Sequence, residues 1–528
     1  MQSWPLTVDR FIDHAARWHA DVPIASRNHE GAITHMSWEG VRRDASRLSH
    51  ALAAHGIMPG DRIGTLAMNG VRHVAAWFGI MGMGAICHTL NPRFSDEQLS
   101  YIINHAADRL IFIDRQFLPL VDRLRSQCPV IERVVVLDGD GGGGWERFLN
   151  GHGEDYPWGR FDENSGSGLC YTSGTTGAPK GVLYTHRSNY LHTMMILQPD
   201  SFNLGAGDIV MPVVPMFHAN GWGLIFAAAA VGAKLVLPGS RLDGASLHDL
   251  IEREGVTVTA GVPTVWLSLL AYLKDTGKRP GKLKRVFVGG AACSEAIIRA
   301  FDQYCVEVQH VWGMTELSPV GTSGRPTPEV QALSHDEQIP YRLAQGRSMI
   351  GVDLRIVDEQ GKELPRDGKS VGAIQIRGHS VVGRYYRSDA PALDADGFFD
   401  TGDVGTIDAH GYMRITDRAK DVIKSGGEWI SSVDIEINAM NHPGVELAAA
   451  IGVLHPKWNE RPLLLLKRSV NSDVTEEEIR ELLSNRLARW AVPDAILFVD
   501  DIPLGATGKI DKKPLRARYR DYYGKQGE

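Results

Sequence analysis

The amino-acid sequence predicts an α/β fold in which a large N-terminal domain is followed by a small α+β C-terminal domain. Three observations predict it. The 528 residues, 43% of them hydrophobic, exceed what one ordinary core holds, so a large domain and at least one smaller one are expected. The first 150 residues alternate helical apolar spacing with short apolar runs, the pattern of largely parallel sheets covered by helices. From about Asp417 the pattern changes to two apolar strand candidates and one well-capped helix, enough for a compact α+β unit.

In chain order, Val41, Ala45, Leu48 and Leu52 share one helical face, and Gly56 is placed to end that helix. Gly60-Asp61 turns the chain into a strand candidate at 62–68, and Asn69-Gly70 marks the next turn. A helix-like stretch leads to an apolar strand at 85–90, and 134–137 reads as a buried strand. The glycine run at 139–144 that follows reads as a surface loop with no phosphate-binding role. Residues 221–233 form the longest uncharged, mostly apolar run, ended by Lys234. They are too few to span a bilayer and are expected to be a buried core helix. Residues 306–311 are strand-like. In the C-terminal part, 447–454 and 462–466 are strand candidates. Thr475 and Glu478 fit a capping box, continued by Ile479, Leu482, Leu483 and Leu487.

Composition excludes several functions. The net charge is -7 and the basic residues are dispersed, without the stripe that a nucleic acid partner requires. The five cysteines (Cys87, Cys128, Cys170, Cys293, Cys305) are widely spaced and form no CxxC, which argues against a disulfide framework or a zinc site. Buried thiols in a reduced cytosol are expected. Asp9, Arg10, Asp13, His14 and Arg17 interrupt the N-terminus, leaving no signal-peptide apolar stretch. A soluble, cytoplasmic protein without a membrane span follows.

Chemistry-bearing residues gather in five segments. Residues 171–182 read Tyr-Thr-Ser-Gly-Thr-Thr-Gly-Ala-Pro-Lys-Gly-Val. Hydroxyls and glycines alternate there so that side-chain and backbone donors can face one anion, and Lys180 adds a positive charge. The GKS/T ending of a Walker loop is missing. Taken alone, the segment also reads as a flexible Ser/Thr/Gly turn. Residues 312–316, Trp-Gly-Met-Thr-Glu, offer an aromatic face, a hydroxyl and a carboxylate able to hold a hard cation. Thr401-Gly-Asp403 sets a carboxylate on a turn, where it can accept from two ribose hydroxyls or form an ordinary Asx turn. Residues 417–430 run from charges into a glycine pair, and residues 503–510 place Lys509 on a glycine-containing loop.

In this order and spacing the five segments resemble the adenylate-forming superfamily of acyl-CoA synthetases, luciferases and peptide-synthetase adenylation domains, over essentially the whole chain. The resemblance implies a multi-sheet N-terminal domain over 1–416 that binds ATP and the acid. It also implies a mobile C-terminal domain over 417–528 that turns between two half-reactions. Thr172, Ser173, Gly174, Thr175, Thr176, Gly177 and Lys180 then form the loop over the β- and γ-phosphates. Trp312 takes the adenine-stacking position, more often tyrosine in the family, beside Gly290, Ala291, Gly313 and Met314. Thr315 and Glu316 match phosphate and Mg2+ contacts, with Thr172 as a second metal contact, and Asp403 and Arg418 match the ribose ligands.

Lys509 matches the lysine that bridges substrate carboxylate and α-phosphate, so Lys509, Glu316 and Thr172 are the implied catalytic residues. Lys420 falls at the hinge. Lys424, Gly426, Gly427, Glu428 and Trp429 fall where coenzyme A threads its pantetheine arm. No side-chain nucleophile is needed when a carboxylate attacks an α-phosphate held by cations and fixed donors, and neither GxSxG nor HExxH occurs.

Within the superfamily the chain resembles bacterial medium- and long-chain fatty-acyl-CoA synthetases. The likeness lies in residues 212–232, which include His218 and Trp222, and in the segments at 261–266, 288–292 and 424–431. His218, Trp222, Val262, Gly289 and Gly290 are the implied acid-binding residues, with Trp222 at the position of a tunnel gate. The same segments resemble 3-methylmercaptopropionate-CoA ligases nearly as well. An apolar pocket separates chain lengths by only about 1–3 kcal/mol per methylene, so both acids stay open. An adenylation module loading a carrier protein is a further alternative, although no carrier domain adjoins. The implied partners are a small carboxylic acid, ATP, Mg2+ and coenzyme A, and the implied assembly is a homodimer.

Overall fold

The structure, a computed structural model, describes residues 1–138, 144–172, 178–425, 428–470, 472–505 and 510–523, with the backbone alone at 428 and 429. Its strands form sheets of thirteen, six and five strands. The first two build the large N-terminal domain and the third the small C-terminal one, as expected.

The six-stranded sheet runs Arg133–Val136, Leu110–Ile113, Arg62–Leu66, Ile86–Thr89, Gly166–Thr172, Lys180–Thr185. Its first five strands are parallel. Leu110–Ile113 is buried throughout and is a short continuous apolar run, while Ile86–Thr89 is buried with a polar member, His88, whose Nδ1 lies 2.7 Å from Asp108 Oδ2. The last two strands form an antiparallel hairpin. The helix expected around Val41 spans Trp38–Ala54. Ser37 Oγ accepts from the Gly40 N–H at its start, and Gly56 at φ +73° turns the chain away beyond its end. The residues of the glycine run at 139–143 lie outside those described.

The thirteen-stranded sheet is parallel from Pro23–Arg27 through Lys234–Leu237, Ile209–Pro212, Val258–Gly261 and Arg285–Val288 to Glu307–Gly313. Beyond Glu307–Gly313 it becomes antiparallel, through Val320–Ser323, Gly346–Ser348, Tyr412–Arg418, Phe399–Ile407 and Gly372–Gly378 to Val352–Val357. Parallel pairing thus describes only part of this sheet, and the strands Val320–Ser323 and Gly346–Ser348 pair antiparallel although two helices, Pro328–Gln331 and His335–Leu343, separate them in the chain.

Residues 221–233 also differ from expectation. The helix begins only at Leu224, and Asn220, Gly221 and Trp222 before it are left-handed, at φ +53°, +55° and +57°. Four buried cysteines fit the expected thiols, but Cys305 is exposed, on a turn after the helix Glu295–Asp302 and outside the core.

In the C-terminal domain the strands expected at 447–454 and 462–466 extend to Val445–His455 and Asn459–Arg468. Along Leu463-Leu-Leu-Leu466 alternate side chains enter opposite cores. Leu464 and Leu466 pack with Ile435, Ile479 and Leu483, whereas Leu463 and Leu465 pack with Leu515 and Tyr523. Helices therefore cover both faces, and the Thr475–Glu478 capping box opens one of them. The last N-terminal strand ends at Arg418 and the first C-terminal strand begins at Ile423. Among the described residues no helix is long and apolar enough to cross a membrane.

Candidate active site

The predicted phosphate segment is flanked by two antiparallel strands, Gly166–Thr172 and Lys180–Thr185. Thr172 ends one strand directly opposite Lys180, which begins the next; residues 173–177, with Ser173, Gly174, Thr175, Thr176 and Gly177, lie outside the described residues. Lys180 Nζ stands 4.8 Å over the ring of Tyr385. Tyr385 Oη in turn donates to Glu316 Oε1 at 2.9 Å. Glu316 sits on the 3-10 turn Thr315–Leu317 and is buried. Burial holds its carboxyl above the usual range, opposed by the Tyr385 hydroxyl, Arg418 and Lys180. One chain of contacts therefore joins the hairpin to the Trp-Gly-Met-Thr-Glu segment.

That segment is held from several sides. Tyr184 Oη donates to the Thr315 carbonyl at 2.7 Å, and the Met314 N–H donates to the Pro319 carbonyl at 2.9 Å. A Cβ on Gly313 would lie 1.9 Å from the Pro319 oxygen, so glycine is required there. A cleft of about 530 Å³ opens beside the hairpin, lined by Lys180, Tyr385, Tyr386, Arg387 and His105.

The residues predicted to hold the nucleoside meet one another. Trp312 Nε1 donates to Asp403 Oδ2 at 3.0 Å, and Arg418 Nε lies 2.6 Å from Asp403 Oδ1. Asp403 and Arg418 face each other on paired strands, and the Thr401 hydroxyl accepts from the Asp403 N–H at 3.1 Å. The tryptophan standing where tyrosine is more usual thus spends its polar group on the carboxylate predicted to read ribose.

On the acid side the left-handed turn lays the Trp222 ring over the glycine pair. A Cβ on Gly289 would come within 3.0 Å of Trp222 Cη2, and one on Gly290 within 3.2 Å of Val262 Cγ1. Trp222, Val262, Gly289 and Gly290 are therefore neighbours, with Ala291 exposed just beyond. Asn220 Nδ2 anchors the turn by donating to Asn189 Oδ1 at 3.3 Å. The His218 carbonyl accepts from the Gly221 N–H at 3.1 Å.

The C-terminal candidates are less gathered. Lys420 lies between the strands Tyr412–Arg418 and Ile423–Ser425 with its side chain partly in solvent, and partial desolvation pulls its ammonium below the usual lysine range, with Arg418, Arg516 and Lys512 adding repulsion. Lys424 pairs through its backbone with Trp429, and its N–H donates to Glu460 Oε2 at 2.9 Å. Glu428 begins the strand Glu428–Ile430. Gly426, Gly427 and Lys509 lie outside the described residues. Asp417 is buried. Its Oδ2 accepts from the Ser432 N–H at 2.6 Å, tying the end of the large sheet to the helix Ser432–Met440.

Sequence reasoning missed Tyr385 and His105. His105 Nδ1 is 2.6 Å from Tyr171 Oη, at the base of the hairpin. The run Arg384-Tyr-Tyr-Arg387 was the one available signal for Tyr385, and no periodicity connects it to Glu316.

The model of a family described as AMP-binding enzyme matches residues 11–386, and that of the AMP-binding enzyme C-terminal domain matches residues 434–509. A medium-chain-fatty-acid–CoA ligase of Ectopseudomonas oleovorans is 47% identical over 526 residues, covering 98% of this chain and 96% of that one. A 3-methylmercaptopropionyl-CoA ligase of Ruegeria lacuscaerulensis is 45% identical over 531 residues, covering 99% and 98%. Among solved structures, ATP-bound MatB from Rhodopseudomonas palustris gives a TM-score of 0.82 at 26% identity, covering 98% of this chain and 100% of that one.

Proposed function

The chain belongs to the AMP-binding enzyme family as an AMP-forming acyl-CoA synthetase that uses ATP and coenzyme A, and from that premise we propose that its acid is a medium- or long-chain fatty acid. The observation that carries this reading is the apolar wall made by Trp222, Val262 and the Gly289-Gly290 pair, where a hydrocarbon chain can lie against ring and backbone. The 47% identical medium-chain ligase supports the same acid.

In the proposed mechanism the hairpin from Thr172 to Lys180 holds the β- and γ-phosphates. Trp312 stacks on adenine, and Asp403, held between Trp312 Nε1 and Arg418, accepts from the ribose hydroxyls. Lys509 bridges the acid's carboxylate and the α-phosphate, offsetting charge as the new bond forms. Glu316 and Thr172 bring the oxygen donors a hard cation takes, a buried carboxylate and a hydroxyl, so they fit Mg2+, which would offset phosphate charge when bound. The domain from 417 onward then turns about Lys420, and the segment from Lys424 to Trp429 receives the pantetheine arm. The enzyme works in the cytoplasm as a homodimer, an assembly that light scattering tests directly.

The deciding experiment supplies ATP, magnesium and coenzyme A with acids from acetate to stearate, 3-methylmercaptopropionate and cinnamate-type aromatics, quantifying AMP and acyl-CoA. The expected result is a maximum of kcat/KM at a medium or long chain. A maximum at 3-methylmercaptopropionate, favoured by the 45% identical ligase, would keep the mechanism and replace the acid.

A further inference from the structure

We propose that the cleft beside the strand pair Gly166–Thr172 and Lys180–Thr185 is a second diphosphate site, which takes pyrophosphate as it leaves. The proposal rests on the reading of the chain as an AMP-forming ligase, and it places this site outside the position given to the phosphates of ATP. The cleft, of about 530 Å³, has Lys180 and Tyr385 on its wall and adds Tyr101, His105, Tyr386 and Arg387. Among the described residues that line it none is Asp or Glu, although the whole chain carries a net charge of -7. A concave surface with two cations and no carboxylate concentrates positive potential and draws a polyanion.

Arg387 marks the cleft as a built feature. Its backbone is left-handed, at φ +56°, which a residue other than glycine adopts only where its surroundings impose it. The N–H of Tyr386, just before it, donates to the Gly181 carbonyl at 2.7 Å, one residue beyond Lys180. Arg387 Nη1 donates to the His105 carbonyl at 2.6 Å, in the last turn of the helix Asp96–Ala106. That carbonyl is one of those a helix end leaves without an intrahelical partner, and the arginine also offsets the negative end of the helix. His105 Nδ1 in turn lies 2.6 Å from Tyr171 Oη, on the first strand of the pair. Helix, strand pair and the segment at 385–387 are thus tied in a ring around the cleft, and the arginine stands 5.3 Å over the Tyr386 ring on its wall.

Chemistry selects the occupant. As the acid's carboxylate oxygen bonds to the α-phosphorus, the bond from that phosphorus to the bridging oxygen breaks, and pyrophosphate leaves with the electron pair. Lys180, predicted to hold the phosphates of ATP, faces the cleft from 4.8 Å over the Tyr385 ring. Pyrophosphate can therefore pass towards Arg387 without giving up every cation at once.

The test is equilibrium dialysis of labelled pyrophosphate, with magnesium, against the full chain saturated with α,β-methylene-ATP. That analogue fills the phosphate position of ATP and releases no pyrophosphate of its own. Saturable binding is expected. Arg387→Gly, which suits φ +56° and removes the guanidinium, should weaken it at least about tenfold, the low end for a hydrogen bond to a charged group. Arg387→Lys should retain most of it, and product inhibition by pyrophosphate should weaken in the same order. No saturable binding to the nucleotide-filled enzyme, or equal affinity in Arg387→Gly, would overturn this site and leave the ligase reading intact. Displacement by an equal concentration of orthophosphate, or of coenzyme A with its own diphosphate, would give the cleft to another anion and overturn it as well. An enzyme that forms AMP with none of the acids would overturn both readings.

Discussion

The bond from Trp312 Nε1 to Asp403 Oδ2 allows a quantitative test of how the nucleoside site is held. Trp312→Phe keeps an aromatic face for adenine and removes only the N–H donor. Both partners are buried, at 7% and 3% exposure, and the acceptor is a carboxylate 3.0 Å away. A hydrogen bond to a charged group contributes about 1.5–3 kcal/mol. Arg418 still holds the other carboxylate oxygen at 2.6 Å, so the lower end applies, about 1.5 kcal/mol, roughly a tenfold rise in KM for ATP. ATP–pyrophosphate exchange reads that constant without involving coenzyme A. Asp403→Asn and the double variant complete the cycle, with an expected coupling of about 1 kcal/mol or more. Effects that add to within about 0.5 kcal/mol would refute the reasoning, because the two residues would then act on ATP independently.

Three further outcomes are expected. Glu316→Gln should cut adenylation about a hundredfold, as losing one charge contact in a transition state does. The same change should raise Tm near pH 7 without ATP. Burial raises the folded carboxyl's pKa, so its charged form penalises the fold above that pKa; the Tm gain should shrink as pH falls through it, and a lower Tm at neutral pH would contradict the assignment. Lys509→Ala should abolish pyrophosphate exchange yet spare thioester formation from supplied acyl-adenylate, and equal loss of both half-reactions would remove the role given to this lysine. Lys512→Met should destabilise the small domain by about 3–5 kcal/mol in urea, since Glu436, 2.7 Å away and buried, would lose its counter-charge. A loss under about 1 kcal/mol would mean the pair is solvated.

Much of the candidate site's layout was legible because its residues lie in short dense segments whose types suggest a chemistry. Thr172 and Lys180 face each other across a hairpin, Trp312 meets Asp403 and Arg418, and Trp222 lies against Gly289 and Gly290. Local strands and caps were legible for a similar reason. The Thr475 capping box and the Leu463-Leu466 run are decided within a few residues, by one hydrogen-bond pair and by period-two burial. Tyr385 was not legible. It reaches Glu316 across 69 positions, and nothing near residue 385 indicates that a buried carboxylate will need a donor. The antiparallel part of the large sheet escaped notice too, since direction depends on how strands are connected and their apolar patterns are alike either way. At residues 220–222 helix propensity was outweighed by tertiary packing. Neighbours such as Asn189 hold a left-handed turn that the composition does not suggest.

The two apolar layers of the C-terminal sheet draw every member from residue 423 onward. In the rotation proposed above, these two layers can therefore move as one piece. The contacts that would have to change partners include Asp417 to Ser432, the Ser431 hydroxyl to the Thr416 carbonyl and Arg414 to Asp434. For that rotation, this layout would confine the adjustable contacts to a few polar ties at the domain boundary, while mutations that loosen the Leu463-Leu466 stack should weaken the small domain itself.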